Sequence, residues 1–223
     1  MDVSQAIEGR QSIRAFDADR DVASTLITSI LGTASRAPSG SNIQPWHVYV
    51  VTSAAKNRIT EACTARYLSG DEGKSEYHYY PQAWRQPYIG RRRQTGFGLY
   101  GLLGIDKADT AAVQDYRVTN YQFFGAPVGL FFTIDRDMEL GSWLDYGMFI
   151  QSVMLSARGA GLETCAQAAF CPYYDSVMPL LGAPDEQMLV CGMSLGYPLS
   201  EAIINGYRTE RIAVEAFTTF VTD

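Results

Sequence analysis

Two arginines and a serine alternate near the start of the chain, in the sequence Arg10-Gln-Ser-Ile-Arg14. In an extended segment, residues 10, 12 and 14 lie on one side of the backbone. Guanidinium groups bind phosphate oxygens through paired hydrogen bonds, and a serine hydroxyl can add one more. The segment is therefore a candidate phosphate site, although two solvated surface arginines would give the same short pattern.

A second polar segment follows, Ala37-Pro-Ser-Gly-Ser-Asn-Ile-Gln-Pro-Trp46, between a helical and a strand-like pattern. Its proline, glycine and serine residues predict a tight, exposed turn. The side chains of Ser39, Asn42 and Gln44 are polar and uncharged, so they suit the polar edge of a planar heteroaromatic ligand better than proton-transfer chemistry. An ordinary turn explains the first residues of this segment but not the Gln-Pro-Trp that ends it.

The elements that must position these segments follow from hydrophobic spacing. Helices are predicted at residues 3–8, 22–36, 54–67, 109–124, 143–158 and 173–181, and strands at 47–52, 127–134, 162–170 and 187–195. Such alternation predicts an α/β or α+β fold with a central sheet. The 143–158 helix is apolar nearly all round, which predicts burial on every side, within the chain or at a dimer interface. Residues 69–105 have no clear period and many aromatic side chains, so we expect a lid-like excursion over a ligand site.

Composition narrows the classes of function. The 223 residues, 47% hydrophobic and 19% charged, are enough for one sizeable core. The net charge of −6 argues against a nucleic-acid partner, which requires a basic face, and no apolar run reaches the length of a membrane span. No secretory signal is visible, so we expect a cytoplasmic protein whose four cysteines are free, buried thiols.

The chain offers few residues for acid–base or metal chemistry. Two histidines, His47 and His78, are too few for a metal site of several histidines, and neither has a nucleophile pattern around it. The cysteines show no zinc-type spacing. If the protein is an enzyme, a bound cofactor is therefore expected to carry the chemistry.

The 10–14 and 37–46 segments resemble the two N-terminal signatures of the FMN-dependent nitroreductase family. The resemblance continues, in the family's order, through Gly161-Leu-Glu-Thr-Cys-Ala-Gln-Ala-Ala169 to Arg208-Thr-Glu-Arg211. It implies a nitroreductase-like α+β fold in a single domain of residues 1–223, with a mixed central sheet flanked by helices. It also implies an intertwined homodimer with FMN sites at the interface and a tail, from about residue 204, that wraps around the partner.

The same resemblance implies which residues contact FMN. One subunit would supply Arg10, Gln11, Ser12, Arg14, Cys165, Ala166, Gln167, Ala168, Arg208 and Arg211, and the other Pro38, Ser39, Gly40, Asn42 and Gln44. Arg211 is slightly favoured over Arg208 as a phosphate ligand, and an ion pair with Glu210 or Glu215 is the simpler role for either arginine. Many relatives carry a proline and a glutamate or glycine where this chain has Cys165-Ala166-Gln167, and a buried thiol is the simpler interpretation of Cys165.

Residues 88–100 combine aromatic rings with three arginines, and a similar stretch covers the cofactor in some longer relatives. Tyr88, Arg92 and Phe97 are the candidate substrate contacts, because rings stack on planar substrates and arginines attract anionic groups. A helix with a basic, solvated face is an equally good interpretation.

The function that the resemblance implies is reduction of planar nitroaromatic or quinone-like substrates by NADPH or NADH. FMN would carry the chemistry in a ping-pong sequence, without a catalytic side chain. Within the same fold, the alternatives are flavin-dependent dehalogenation, as in iodotyrosine deiodinase-like proteins, or flavin destruction. A flavin-binding protein without turnover, and a structural or interaction protein without flavin, are alternatives from other classes.

Overall fold

The computed structural model describes residues 1–222, which form seven α-helices and a four-stranded β-sheet. The helices are α1 (Val3–Gly9), α2 (Ser24–Ala34), α3 (Ser53–Leu68), α4 (Tyr88–Leu102), α5 (Thr110–Val118), α6 (Leu140–Gly159) and α7 (Tyr174–Leu181). The strands are β1 (His47–Val51), β2 (Val128–Asp135), β3 (Glu163–Gln167) and β4 (Gln187–Gly196). All predicted helices and strands are present, although α5 and β3 are shorter than expected and 3-10 turns come after them.

The sheet has the order β1-β2-β4-β3, and every pair of neighbouring strands is antiparallel. The expected mixed sheet is thus antiparallel in its four strands, and its parallel part is limited to an isolated bridge between Ser12 and Thr164. Alternating helices and strands do not fix strand direction, because a long connection can return the chain to either end of a sheet. The bridge joins the 10–14 segment to the edge strand β3.

Strand β2 lies at the centre of the core because it is buried on both faces. Leu130 and Phe132 point to one face and Phe131 to the other, as the two-residue period of a strand requires. The first face packs against α2 and α6, and the second against α3 and α7. Two apolar layers therefore hold the sheet from both sides.

Helix α6 is buried on one side only. Tyr146, Phe149 and Val153 are buried against the sheet, whereas Leu140 and Leu144 are 83% and 71% exposed. The expected burial on every side is therefore wrong for the single chain, because the sheet and α2 cover only part of the helix surface. An apolar surface is left on the outer side of α6.

The four cysteines are free and buried. Burial raises the pKa of the Cys171 thiol to about 11 and that of the Cys63 thiol to about 12. No helix among residues 1–222 is long and apolar enough to cross a membrane. Within the same range, no group of histidine, cysteine or acidic side chains is arranged to hold a metal ion.

Gly129 on β2 is a position where a side chain has no room. A Cβ atom there would lie 2.4 Å from Phe123 Cε1 and 2.9 Å from Val51 Cγ2. We expect Gly129→Ala to lower the free energy of unfolding by about 1–3 kcal/mol, because an extra methyl group overpacks the core. Urea denaturation measures the change.

Gly32→Ala is the matched control, since a Cβ atom at this exposed position of α2 meets nothing within 4 Å. It should raise the free energy of unfolding by about 0.5–1 kcal/mol, because alanine favours a helix more than glycine does. Equal effects of the two substitutions would contradict this account of the core.

Candidate functional site

A cleft of about 420 Å³ brings residues from both ends of the chain together. The residues that line it are Ile7, Glu8, Arg10, Gln11, Ser12, Arg14, Tyr207, Arg208, Thr209 and Arg211. Six of the predicted cofactor contacts therefore share one cleft, and both candidate C-terminal arginines reach it. We call it the arginine cleft.

Asn205 holds the two ends of the chain together. Its Oδ1 accepts hydrogen bonds from the backbone amides of Arg14 and Ala15 at 2.9 and 3.2 Å, and its Nδ2 donates to the Ala15 carbonyl at 2.8 Å. Gln11 Nε2 donates to the Asn205 carbonyl at 2.7 Å. Sequence reasoning missed Asn205, and no local pattern marks it, because these partners lie at least 190 residues away.

The 10–14 segment is extended because it pairs with β3. Ile13 N donates to the Thr164 carbonyl at 3.1 Å, and the Ile13 side chain is buried in the core. Alternation along the segment then turns Ser12 and Arg14 toward the arginine cleft. Gln11 also lines the cleft, so Ile13 is the residue of this segment that faces the core.

The arginine cleft carries positive charge that no carboxylate of residues 1–222 neutralises in a salt bridge with its arginines. Arg14 and Arg208 donate to backbone carbonyl oxygens, and Arg211 donates to such oxygens and to Thr209 Oγ1. Burial lowers the pKa of Arg10, and the like charge of Arg211 lowers it further. The cleft therefore favours an anion, and a phosphate can accept hydrogen bonds from several guanidinium groups.

A half-buried ion pair lies near Arg10. Arg158, at the end of α6, pairs with Glu163 at the start of β3. Burial raises the pKa of Glu163, and the charges of Arg158 and Arg10 oppose the rise. Because Arg158 is its hydrogen-bonded partner, Glu163 does not form a salt bridge with the arginines of the cleft.

Two buried polar atoms beside the cleft have no hydrogen-bond partner within the described residues. They are Gln11 Oε1 and Thr164 Oγ1. Thr164 is bridged to Ser12, so both atoms lie next to the segment that lines the cleft. A buried polar group without a partner costs about 1–3 kcal/mol, which favours a bound ligand that has hydroxyl or amide groups.

A larger cleft of about 760 Å³ opens at the other end of β3, and we call it the apolar cleft. Aromatic and aliphatic side chains dominate its lining: Tyr77, Tyr79, Leu140, Trp143, Ile150, Met154, Met188 and Val190. Ala166, Gln167 and Ala168 line it as well, so three further predicted contacts lie here. Thr164 and Gln167 are about 10 Å apart along β3, because a strand rises about 3.3 Å per residue.

The side chains of Cys165 and Gln167 face the interior. Cys165 is buried, and burial raises the pKa of its thiol. Gln167 Nε2 donates to the Asn120 carbonyl at 2.6 Å, and Ser194 Oγ donates to Gln167 Oε1 at 2.8 Å. A ligand along β3 can therefore meet the side chain of Ala166 but only the backbone of these two residues.

The 38–44 loop is held on α6. Gly40 N donates to Asp145 Oδ2 at 2.9 Å, and the Trp46 ring stacks on Phe149 with 4.6 Å between centroids. The stack explains why the loop ends in a tryptophan. Sequence reasoning missed Asp145, although a carboxylate inside the apolar 143–158 pattern was a usable signal.

Three residues of this loop have left-handed backbone conformations. The φ angles of Ser41, Asn42 and Gln44 are 50°, 58° and 50°. Such angles cost energy in residues other than glycine and cluster at binding sites. The predicted contacts in the loop are exposed or half-exposed, and within one chain they line neither cleft: Pro38, Ser39, Gly40, Asn42 and Gln44.

The predicted substrate contacts on α4 point in different directions. Arg92 lies over the Trp84 ring, 4.7 Å from its centroid, whereas Lys107 Nζ lies 3.1 Å from the centroid of Phe97. Tyr88 and Phe97 are nine residues apart, so they lie on opposite sides of the helix. Helix periodicity therefore divides the single contact zone expected from the sequence. The face of α4 that lines a cleft carries Arg91, Gln94, Thr95 and Gly98.

The two clefts and the strand between them suit an elongated ligand with an anionic group at one end and an apolar group at the other. A sequence model described as the nitroreductase family matches residues 7–197. The chain therefore belongs to the nitroreductase family.

Named relatives and solved structures resemble the chain over nearly its whole length. A 4-nitrobenzoate reductase of Nocardioides sp. (strain LMS-CY) is 40% identical over 220 residues, which cover 97% of this chain and 89% of that protein. The fold is similar to that of the FMN and NADPH-dependent nitroreductase NfnB from sphigopyxis sp. strain HMH, with a TM-score of 0.96, 37% identity and 100% coverage of both chains. It is also similar to the FMN-dependent nitroreductase NfnB from Mycobacterium smegmatis in complex with NADPH, with a TM-score of 0.93, 31% identity and coverage of 98% and 97%.

Asp145→Ala should loosen the 38–44 loop. The substitution removes the acceptor of the Gly40 amide, so we expect the free energy of unfolding to fall by about 1–3 kcal/mol. Amide hydrogen exchange in the loop should accelerate, and mass spectrometry measures it. Asp145→Asn keeps an oxygen acceptor of the same shape and should preserve slow exchange. Unchanged exchange in Asp145→Ala would show that the Trp46 stack alone anchors the loop.

Proposed function

We propose that this protein is an FMN-dependent oxidoreductase that uses NADPH or NADH to reduce nitroaromatic compounds. The observation that carries the proposal is the pair of clefts at the two ends of β3, one rich in arginine and the other apolar. The relatives support it, since they include proteins named as a 4-nitrobenzoate reductase and as FMN and NADPH-dependent nitroreductases.

The arginine cleft fits the phosphate of FMN. Arg10, Ser12, Arg14, Arg208 and Arg211 would hold this group, because they converge on one cleft and their guanidinium groups have no salt-bridge partner within residues 1–222. Arginine matches phosphate oxygens with paired donors. Both C-terminal arginines are therefore retained as phosphate ligands.

The residues along β3 fit the rest of FMN. Gln11 Oε1 and Thr164 Oγ1 would bond its ribityl hydroxyl groups, because both are buried polar atoms without a partner among the described residues. Ala166 and Ala168 leave room for a flat ring beside the strand, and the backbone next to them would bond its polar edge. When bound, FMN accepts a hydride from a nicotinamide nucleotide and passes electrons to the nitro group.

The apolar cleft serves the planar substrates. Tyr77 and Trp143 offer rings on which an aromatic substrate can stack, and Ile150 adds an aliphatic wall. The nicotinamide and then the nitroaromatic ring would use the same cleft, which is the basis of the proposed ping-pong order. Because Tyr77 and Tyr79 line the cleft, we propose that the 69–105 excursion is its lid.

We propose that a homodimer completes each site. The 38–44 loop of a second copy would reach the flavin, since the loop is exposed and lines neither cleft of its own chain. The outer face of α6 exposes Leu140 and Leu144, and the tail exposes Phe217 and Phe220 at 66% and 85%. Exposed apolar surface of this kind is typical of an interface, and the tail would wrap around the partner.

An anaerobic visible spectrum, recorded before and after addition of NADPH and then of NADH, tests the function. A flavin band that bleaches and returns on adding 4-nitrobenzoate or nitrobenzene supports the cofactor and the reaction. A band that neither nucleotide bleaches would favour flavin binding without turnover. Recovery with a halotyrosine but not with a nitroaromatic would favour dehalogenation, and a protein that takes up no FMN on reconstitution would exclude the proposal.

The double substitution of Arg10 and Arg211 by alanine should weaken FMN binding while the protein stays folded. Each arginine supplies a charge-assisted hydrogen bond to the phosphate, so we expect the dissociation constant for FMN to rise by at least about a hundredfold. Quenching of flavin fluorescence on binding measures it.

The matched control replaces Arg36 and Arg93 by alanine. Both are exposed arginines that line neither cleft, so this variant removes the same charge from the surface. Its dissociation constant for FMN should stay within about threefold of the original. Retention of FMN by the Arg10/Arg211 variant through dialysis would show that the phosphate lies elsewhere.

Leu144→Glu should separate the subunits. A carboxylate on the outer face of α6 would be buried without a partner in the dimer, and such burial costs several kcal/mol. Light scattering coupled to gel filtration should report a monomer, and FMN should be lost because the partner's loop is absent. Leu68→Glu, at an exposed position at the end of α3, should stay dimeric. A dimer in both variants would remove α6 from the interface.

A further inference from the structure

A third cleft lies beside the arginine cleft, between α4 and the C-terminal segment, and we call it the α4 cleft. Its volume is about 420 Å³, and Arg91, Gln94 and Thr95 of α4 line one side of it. Residues 207–211 border both clefts, and Arg208 and Arg211 line both. The phosphate of FMN occupies only the arginine cleft in the proposed function, so the α4 cleft has no assigned ligand.

Helix α4 and the C-terminal segment touch along the α4 cleft. Tyr207 packs on Gly98, where an added Cβ atom would lie 2.4 Å from the Tyr207 hydroxyl oxygen. This hydroxyl donates to the Thr95 carbonyl at 3.2 Å. Gln94 Nε2 donates to Glu210 Oε2 at 2.8 Å. The carboxylate of Glu210 is therefore bonded by an amide, and the ion pair considered for it from the sequence does not form with either C-terminal arginine.

Together, the two clefts carry more positive charge than one phosphate can neutralise. Their charged residues are five arginines and two glutamates, which gives a formal charge of +3: Arg10, Arg14, Arg91, Arg208 and Arg211 against Glu8 and Glu210. A phosphate monoester carries about −1.5 to −2 near neutral pH, so at least one positive charge stays without a counterion. The whole chain has a net charge of −6, so this concentration of arginines is local.

Arg91 is the charged residue of α4 that lines the α4 cleft, and it does not line the arginine cleft. It is exposed and makes no salt bridge within residues 1–222. Its guanidinium carbon lies 5.8 Å from the centroid of the Tyr88 ring, which is a distant contact. The side chain can therefore turn toward an anion in the cleft without losing a strong partner.

We propose that the α4 cleft is a second phosphate site, which takes the 2′-phosphate of NADPH. This assignment rests on the proposed function of the protein. Arg91 on one side and Arg211 on the other give a phosphate two guanidinium groups, and Gln94 and Thr95 add uncharged polar groups. NADH has no 2′-phosphate, so the cleft makes the protein prefer NADPH over NADH.

The substitution Arg91→Gln tests the assignment in the full, FMN-loaded protein. We expect KM for NADPH to rise by at least about tenfold, which is the effect of losing one hydrogen bond to a charged group. The values of kcat with either nucleotide and of KM for NADH should not change. Binding of adenosine 2′,5′-bisphosphate, measured by calorimetry, should weaken by the same factor, whereas binding of adenosine 5′-monophosphate should not.

Arg93→Gln is the matched control, because it removes the same charge from an exposed position of the same helix that does not line the cleft. It should leave both values of KM unchanged. Equal changes with NADPH and NADH in Arg91→Gln, or no change with either, would overturn the second phosphate site.

The failure of this assignment can be told apart from failure of the proposed function. A protein that binds FMN and is reduced by both nucleotides, but shows no difference between Arg91→Gln and Arg93→Gln, loses only the second phosphate site. A protein that binds no FMN loses the proposed function, and with it the basis of the assignment.

Discussion

Three sets of hydrogen bonds hold the start of the chain between β3 and the C-terminal segment, and the site depends on them. Ile13 donates to the Thr164 carbonyl, Gln11 to the Asn205 carbonyl, and the backbone at residues 14–15 to the Asn205 side chain. These bonds set the alternation that buries Ile13 and turns Ser12 and Arg14 toward the arginine cleft. They also bring the C-terminal arginines to the N-terminal ones. The arginine cleft therefore forms only where the two ends of the chain meet, because neither end alone carries all of its hydrogen-bond donors.

Closure of the chain places like charges close together, and that has an energetic cost. Burial is the first cause of the lowered pKa of Arg10, and the like charge of Arg211 is the second. An anion in the cleft removes this repulsion. A ligand that binds only the folded state also stabilises that state, by about 2.7 kcal/mol at a hundredfold excess over the dissociation constant. In the proposed function, FMN is therefore part of what keeps the two ends of the chain together.

Much of the fold and of the arginine cleft could be predicted from the sequence, because the determinants are local. The hydrophobic period predicted the helices and strands, and the alternation of Arg10, Ser12 and Arg14 predicted the side of their segment that lines the arginine cleft. Asn205 could not be predicted, since its role exists only when distant segments meet. Strand direction depends on how the long connections return the chain to the sheet, which a local pattern does not encode. The exposed side of α6 depends on how much of the helix the sheet and α2 cover, which a local pattern does not encode either. The substrate contacts on α4 remain a prediction, and helix spacing places Tyr88 and Phe97 on opposite sides of that helix.

The four buried cysteines have a consequence for how long the protein lasts in use. A thiol with a pKa of about 11, as in Cys171, is ionised in only about one molecule in ten thousand at pH 7, and the thiolate is the form that reacts. Cys63, Cys165 and Cys191 are shielded in the same way, because burial raises the pKa of each thiol. Nitroaromatic compounds and their partly reduced products are electrophiles. Because the thiols are buried and protonated, such electrophiles have no accessible thiolate to alkylate. Covalent inactivation at cysteine should therefore be slow.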